Sequence, residues 1–249
     1  VLTSLEVACA LAHPGQVELE HVEAALGTSA LRYGRDDHYD VVSAFIKSMR
    51  GSDPDASVYW LARMLEAGED ARFVARRMVI FASEDIGMAD PQALLVAVAA
   101  AHAVEHVGLP EAQLNLAQAV VHLATAPKSN RAAVAIWEAR AAIREGLVGE
   151  VPPHLRDGHY QGASALGHGV GYEYPHAHEG GWVEQQYQPD GSTDRRWYQP
   201  SEQGFEQEIA ARMHERQPRR TTTPGDPTGP PGISPSRSPP CCARSASPQ

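Results

Sequence analysis

The sequence predicts an all-α helical bundle, followed by an irregular segment and a polar tail. Three observations support this fold class. Apolar residues recur at helical spacing almost continuously through residues 1–150, and no stretch shows the sustained alternation of a strand. Glycine, proline and acidic residues also interrupt the apolar stretches where helices are expected to begin and end.

Eight helices are predicted in this part of the chain. Asp53-Pro54 and Asp90-Pro91 each place an acceptor side chain before a proline, which suits the first turn of a helix. The connections are short, so neighbouring helices are expected to pack antiparallel. The predicted ranges are 2–11, 18–26, 39–49, 54–68, 71–83, 90–106, 110–124 and 131–145.

The composition changes after residue 150. Residues 151–200 are rich in Gly, Tyr, His, Pro and Trp and lack periodicity. A short amphipathic helix is predicted near residues 202–216. Residues 217–249 are dominated by Pro, Gly and Ser, which is typical of a disordered tail.

The composition of the chain argues against several classes of protein function. No apolar run approaches the ~18–20 residues that a membrane span needs, so no membrane association is expected. The net charge is −10, so any DNA contact has to be a local basic patch. The start at Val1, without Met or a signal-peptide pattern, favours a fragment of a longer protein. Cys9 is expected in the core, and Cys241-Cys242 form neither a disulfide framework nor a zinc motif, which favours a reducing cytoplasm.

The sequence contains no G-x-x-x-x-G-K-[ST] motif, so no nucleotide-hydrolysing site and no cofactor are predicted for this chain. The stretch from Val79 to Asp85 resembles an apolar strand ending in acidic residues, but its helical phase favours a helix end followed by an acidic turn. His168, His176 and His178 favour a hydrogen-bonding loop over a metal site, because neither Cys nor an H-E-x-x-H helix accompanies them.

Two basic clusters are candidates for contact with DNA or another anion. The first comprises Arg72, Arg76 and Arg77 on the fifth predicted helix. The second comprises Lys128 and Arg131 at the start of the eighth, where free backbone N–H groups favour an anion. The alternatives are solvated charges on the helix and a capping turn.

Six stretches of this sequence are distinctive: HYDVVSAFIKSMRGSDPDASVYWLARMLEAGED (38–70), FVARRMVIFASEDIGMADPQAL (73–94), APKSN (126–130), VPPHLRD (151–157), GVGYEYPHAHEGGWVEQQYQPD (169–190) and RRWYQPSEQGFEQEI (195–209). In this order they resemble the C-terminal part of the RarA/MgsA family, whose eukaryotic relative is the Werner-helicase-interacting protein. Residues 158–167 are less like the family than their flanks.

The resemblance implies a parent AAA+ ATPase related to clamp loaders, which acts at replication forks or single-stranded gaps in recombination and DNA repair. It implies the end of a helical lid at residues 1–30 and a C-terminal oligomerisation domain at residues 31–150. An irregular segment and terminal helix of the same domain follow at 151–216, with the tail at 217–249. The P-loop domain and sensor arginine, with ATP and Mg²⁺, are expected upstream of residue 1. The implied partners are further copies in a homotetramer, DNA and single-strand-binding protein, in a nucleoid-associated, cytoplasmic setting.

The leading hypothesis is therefore a non-catalytic lid and oligomerisation module. Surplus apolar surface on a helix would form the subunit interface. The alternative is a helical DNA-binding or partner-binding adaptor without ATP-linked activity. The sequence alone leaves core and interface roles open for the interface candidates, which are Val42, Phe45, Ile46, Tyr59, Trp60 and the Ala-rich sixth helix.

Overall fold

A computed structural model describes residues 2–26 and 35–216 of the 249-residue chain. Within these ranges the chain is helical and forms no strand, which confirms the all-α prediction. The predicted tail and the connection at 27–34 lie outside the described residues. The α-helices are α1 (Leu2–Ala12), α2 (Leu19–Leu26), α3 (Arg35–Arg50), α4 (Pro54–Glu66), α5 (Ala71–Phe81), α6 (Gln92–His106), α7 (Ala112–Thr125), α8 (Arg131–Arg144) and α9 (Glu206–Glu215).

Acidic side chains cap the starts of three central helices. Asp53 Oδ1 accepts the N–H of Ala56 at 2.9 Å, and Pro54 occupies the first turn of α4, as the sequence predicts. Asp70 accepts from the N–H of Arg72 at the start of α5. Asp90 accepts from the N–H of Gln92 at the start of α6. Each carboxylate satisfies an N–H group that has no partner within its helix.

Gly68 ends α4 in a left-handed conformation, with φ of +80°. The Gly68 N–H donates to the carbonyl of Leu65, and the Glu69 N–H donates to that of Met64. This pair of bonds is a Schellman motif, which favours glycine because other residues adopt a positive φ only at a cost. The motif turns the chain directly into α5.

The core lies among α3, α4, α5, α6 and α7. Helix α3 packs on α4 and α7, α4 packs on α7, and α6 packs between α5 and α7. Helices α1 and α2 pack against each other. Alanines of α6 and α7 allow those two helices to approach closely, while larger side chains fill the space around them. The largest fully buried apolar residues of the bundle are Phe45, Met49, Met64, Met78, Phe81, Ile86, Leu116 and Leu123.

Helix α5 ends at Phe81, and the chain then forms one π-helical turn, Ala82–Ile86, and one 3-10 turn, Gly87–Ala89. This confirms a helix end followed by an acidic turn rather than a strand. A π turn inserts one extra residue and redirects the side chains around it. Glu84 and Asp85 therefore lie on the turn that joins α5 to α6.

The segment between α8 and α9 holds its shape through its own hydrogen bonds and four short 3-10 turns. The His154 ring donates to the carbonyl of Gln186 at 2.7 Å, and the Gln185 amide donates to the carbonyl of Glu173 at 2.7 Å. His168 hydrogen-bonds to the hydroxyl of Tyr160. These contacts agree with the hydrogen-bonding loop that the sequence predicts.

One core prediction is wrong. Cys9 is exposed on α1, whose buried residues include Ala8 and Ala12. The apolar spacing of the first helix is consistent with more than one face, so it did not identify the buried one. No helix in the described parts of the chain combines the length and the apolarity that crossing a bilayer requires.

Helix α9 docks back onto the turn that follows α5. The Phe205 N–H donates to the carbonyl of Ala89 at 2.8 Å. Gly204 precedes it with φ of +51°, and a Cβ at this position would lie 2.2 Å from the Ala89 carbonyl oxygen and 2.6 Å from Cγ of Pro127. This close approach of the two backbone segments requires glycine at position 204, because other residues rarely adopt a positive φ and because a side chain would clash with Ala89 and Pro127.

We expect Gly204→Ala to lower the free energy of unfolding by about 3 kcal/mol or more, because the methyl group collides with backbone and adds to the conformational cost. The matched control is Gly68→Ala. Its φ is also positive, but nothing lies within 4 Å of the added Cβ, so the expected loss is about 1 kcal/mol. Urea denaturation followed by circular dichroism measures both. Equal losses would contradict the steric argument.

Candidate functional site

Four segments that are far apart in sequence meet at one place. We call this place the junction; it comprises residues 50–53, 82–90, 126–130 and 198–206. Hydrogen bonds and an ion pair join these segments across separations of up to 116 residues. Sequence stretches that carry the family resemblance thus converge in space at the junction, which makes it the candidate functional site.

Glu206 lies at the centre of the junction and is fully buried. Its Oε2 accepts the hydroxyl of Ser129 at 2.7 Å and both the hydroxyl and the N–H of Ser201. Its Oε1 accepts the hydroxyl of Tyr198 at 2.8 Å. Ser129 also accepts the N–H of Arg131, so the network reaches the first turn of α8. One carboxylate thereby connects α8, α9 and the segment before α9.

Protonation of this network is set by competing effects. Burial raises the pKa of Glu206, but the hydrogen bonds from Ser201, Ser129 and Tyr198 outweigh it and leave the pKa below its ordinary value. Burial, together with the hydrogen bond to Glu206 and the charge of that carboxylate, raises the pKa of Tyr198. Near neutral pH, Glu206 is therefore charged and Tyr198 is a neutral donor.

Lys128 closes the end of α7. Its ammonium group donates to the carbonyls of Ala124 and Ala126 and to the hydroxyl of Ser52. A cation at this position satisfies carbonyls that have no partner within the helix. Burial lowers the pKa of Lys128, and the negative charge of Asp85 opposes that effect.

Arg50 and Asp85 form a two-point ion pair at the edge of the junction. Arg50 Nε and a terminal nitrogen donate to Oδ1 and Oδ2 of Asp85, at 2.5 and 3.1 Å. The Asp85 side chain is largely buried, and the Arg50 side chain is about half exposed. Such paired geometry fixes orientation as well as distance. It attaches the end of α3 to the π turn.

The junction is built for holding segments together rather than for transferring protons or groups. Its carboxylates at Asp85 and Glu206, and the ammonium of Lys128, are all bonded to structural partners. Among the residues that the structure describes, no cluster of His, Cys, Asp or Glu side chains is able to hold a metal ion. The sequence likewise contains no phosphate-binding loop.

The candidate DNA contacts differ in their exposure and in their partners. Arg72 lies 2.7 Å from Glu105 in an ion pair between α5 and α6. Arg76 and Arg131 are exposed. Arg77 is partly buried, and its Nε is a buried donor without a hydrogen-bond partner. Lys128 already has three acceptors, as described above. The role of these five residues in binding DNA stays a prediction.

The candidate interface residues divide between core and surface. Phe45 and Val42 are buried in the bundle core. Ile46 and Trp60 are partly buried against that core. Tyr59 is 58% exposed and packs edge-on against Trp60, with ring centroids 5.0 Å apart. Among these five, Tyr59 presents the most apolar surface to a partner; their interface role stays a prediction.

Sequence reasoning missed two features. The Glu206 network joins residues 77 positions apart, and a serine or a glutamate in a polar string carries no periodic signal. The second feature is α8, where Ile136, Trp137 and Ile143 are exposed. Its sequence reads as an ordinary amphipathic helix, although apolar residues occur on more than one of its faces.

We expect Glu206→Gln to lower the free energy of unfolding at pH 7 by about 2–3 kcal/mol, because charge-assisted bonds to several donors are weakened. Because the folded pKa of Glu206 lies below the unfolded value, its stabilisation is complete above about pH 4.3 and is lost as the pH falls through the folded pKa. The difference between wild type and variant should therefore shrink as the pH falls below about 4.3 and through the folded pKa of Glu206.

Urea titrations at several pH values measure this difference. The control is Glu208→Gln, on the same helix, whose carboxylate forms only an exposed pair with Arg212. We expect the control to change stability by less than about 0.5 kcal/mol at any pH. A Glu206→Gln effect that does not vary with pH would argue against a charged carboxylate in the network.

Two family models together match residues 1–217 of this chain. The family model described as MgsA AAA+ ATPase C terminal matches residues 51–217, and that of the AAA C-terminal domain matches residues 1–50. An uncharacterised AAA domain-containing protein of Mycobacterium tuberculosis is 56% identical over 216 residues, covering 85% of this chain and 48% of that protein. Replication-associated recombination protein A of Bacillus subtilis is 48% identical over 190 residues, covering 76% and 45%.

A eukaryotic relative matches as well. The ATPase WRNIP1 of Dictyostelium discoideum is 40% identical over 167 residues, covering 67% of this chain and 19% of that protein. The chain thus spans about half, or less, of the length of these relatives. The matched ranges contain the whole junction together with helices α3 to α9. The chain belongs to the MgsA AAA+ ATPase family and corresponds to its C-terminal part.

Proposed function

We propose that this chain is the lid and oligomerisation portion of a RarA-type AAA+ ATPase that acts in replication-associated recombination, and that it holds copies of the ATPase together. Two lines support the proposal. The matching family is described by its AAA+ C-terminal region, and a relative from Bacillus subtilis is named for replication-associated recombination. Nucleoid association in the cytoplasm and single-strand-binding protein as a partner are parts of the same proposal.

The observation that carries the proposal is apolar surface on well-formed helices. Leu94 and Leu95 on α6 and Ile136, Trp137 and Ile143 on α8 are exposed. Large apolar patches on a helical surface mark contacts with other proteins. The polar groups of the junction are meanwhile occupied in joining the chain's own segments. A scaffold needs this combination of an internally fixed body and an apolar exterior.

ATP and Mg²⁺ belong to the proposed parent ATPase. Neither fits the residues described above, which lack both a P-loop and a carboxylate cluster free to bind a metal. The proposed contribution of this chain is to position copies of the motor relative to one another.

We expect the full 249-residue chain to run on size-exclusion chromatography with light scattering as a species of several times 26.9 kDa, with a tetramer as the proposed state. Dilution over two orders of magnitude tests whether the assembly is stable. A monomer at high micromolar concentration would refute the oligomerisation role.

A second candidate function is direct DNA contact through α5. The observation that favours it is the partnerless, buried Nε of Arg77 beside the exposed Arg76. A buried guanidinium donor without an acceptor is costly, and a phosphate oxygen would satisfy it. The net charge of −10 opposes general DNA affinity, so the contact would be local.

For this candidate we expect the full chain to bind forked DNA with an affinity that falls as salt rises from 50 to 200 mM, and the double variant Arg76→Ala/Arg77→Ala to reduce the slope by about two. Fluorescence anisotropy gives both slopes. Arg72→Ala is the control, since Arg72 is already paired with Glu105. Absent or salt-independent binding would exclude DNA contact by α5.

A further inference from the structure

The segment between α8 and α9 presents tyrosine side chains to solvent on a backbone that its own hydrogen bonds hold. Tyr172, Tyr174 and Tyr187 are all exposed. The side-chain amide of Gln185 joins the two stretches that carry them. It accepts the N–H of Glu173 at 3.3 Å, and it donates to the Glu173 carbonyl at 2.7 Å and to the Tyr187 hydroxyl at 2.8 Å. One half-buried side chain thus holds the three tyrosines close together.

The bonds to Glu173 also define where its neighbours point. A residue whose N–H and C=O both bond to the same group has an extended backbone, in which alternate side chains stand on the same face. Tyr172 and Tyr174 therefore lie on one face, about 7 Å apart. The Glu173 carboxylate lies on the opposite face, where it is 3.4 Å from a ring nitrogen of His178. The ring centroids of Tyr174 and His176 are 5.2 Å apart. We call this surface the tyrosine platform; it comprises Tyr172, Tyr174, His176 and Tyr187.

The tyrosine platform offers hydrogen-bond donors as well as rings. Within the part of the chain that the structure describes, the hydroxyls of Tyr172 and Tyr174 have no protein partner. The Tyr187 hydroxyl accepts from Gln185, so it can still donate its own proton. Exposed rings that also carry donors suit a ligand that combines an apolar surface with unpaired carbonyl groups.

A polyproline II helix is a ligand of this kind. It makes no internal hydrogen bonds, so its carbonyl groups remain available to tyrosine hydroxyls. Its proline rings pack against aromatic side chains. The fixed φ of proline also means that little conformational entropy is lost when the peptide binds. The platform therefore matches a proline-rich peptide in both its rings and its donors.

The charge of the surrounding chain indicates which other residues such a peptide carries. Residues 171–190 contain four acidic residues and neither Lys nor Arg. At ordinary salt their negative potential acts over about 10 Å, so it attracts cations and repels phosphate groups. Arginine side chains also stack on aromatic rings. A basic peptide therefore matches the platform better than a nucleic acid, although bases also stack on tyrosine.

We propose that the tyrosine platform binds a proline-rich, basic segment of a partner protein in the polyproline II conformation. The tyrosine rings contact the prolines, the hydroxyls donate to carbonyls of the peptide, and the acidic surroundings attract its Lys or Arg side chains. This binding is independent of the proposed oligomerisation role, because the exposed apolar residues that support that role lie on α6 and α8.

Fluorescence anisotropy with the full chain and a labelled peptide of Pro-Pro-Arg repeats tests the proposal. We expect Tyr174→Ala to weaken binding at least about tenfold, and Tyr174→Phe, which keeps the ring and removes the hydroxyl, to weaken it about threefold. Tyr39→Ala is the matched control and should bind as wild type does, because Tyr39 on α3 is 66% exposed and Tyr174 is 59% exposed. Circular dichroism confirms that the variants fold. Absence of binding by wild type, or an equal loss in Tyr39→Ala, overturns the proposal.

Two further peptides separate the contribution of the prolines from that of charge. Pro-Pro-Glu repeats keep the conformation and reverse the charge, whereas Ala-Ala-Arg repeats keep the charge and lose the proline rings. We expect each to bind at least about tenfold more weakly than Pro-Pro-Arg repeats. Equal binding of either peptide overturns the proposal. So does displacement of the peptide by single-stranded oligothymidylate, which would indicate a nucleic-acid site, or a fall in the light-scattering mass of Tyr174→Ala, which would indicate a contact between copies.

Discussion

The burial of Glu206 is the constraint on which the C-terminal half of the structure depends. A charged carboxylate in the interior is tolerated only when donors surround it. Those donors come from Ser129 before α8 and from Tyr198 and Ser201 before α9. Satisfying one charge therefore fixes the positions of two helix starts relative to the turn after α5. The close passage of Gly204 beside Ala89 depends on the same docking.

The junction also explains why its polar residues do not form a catalytic site. An acid or base that works in catalysis needs a free lone pair or proton directed at a cavity. Asp85 instead accepts from both nitrogens that Arg50 presents, and Lys128 closes the carbonyl end of α7. Groups that look reactive in the sequence are therefore used to join helices. Their chemistry is that of capping and ion pairing.

The sequence predicted the features that depend on local periodicity. The helices and the caps at Asp53 and Asp90 follow from spacing and from side chains within three residues, so they agree with the structure within a few residues. The junction could not be predicted, because the bonds that join its segments connect residues 35 to 116 positions apart. Phe45 and Tyr59 were both candidate interface residues, but Phe45 is buried and Tyr59 is exposed. Only the packing of α3 on α4 and α7 distinguishes the surroundings of the two side chains.

A mainly acidic chain can still serve as the scaffold proposed above. Non-specific binding to DNA depends on the sum of charge over a surface, so a net charge of −10 weakens it over the whole chain. Self-association depends instead on the local fit of a small surface, and like net charges on two copies are screened within about 10 Å at ordinary salt. An exposed apolar surface can therefore associate despite the overall repulsion. This difference in range favours the exposed apolar residues of α6 and α8 over the arginines of α5 as the contact surface for the proposed function.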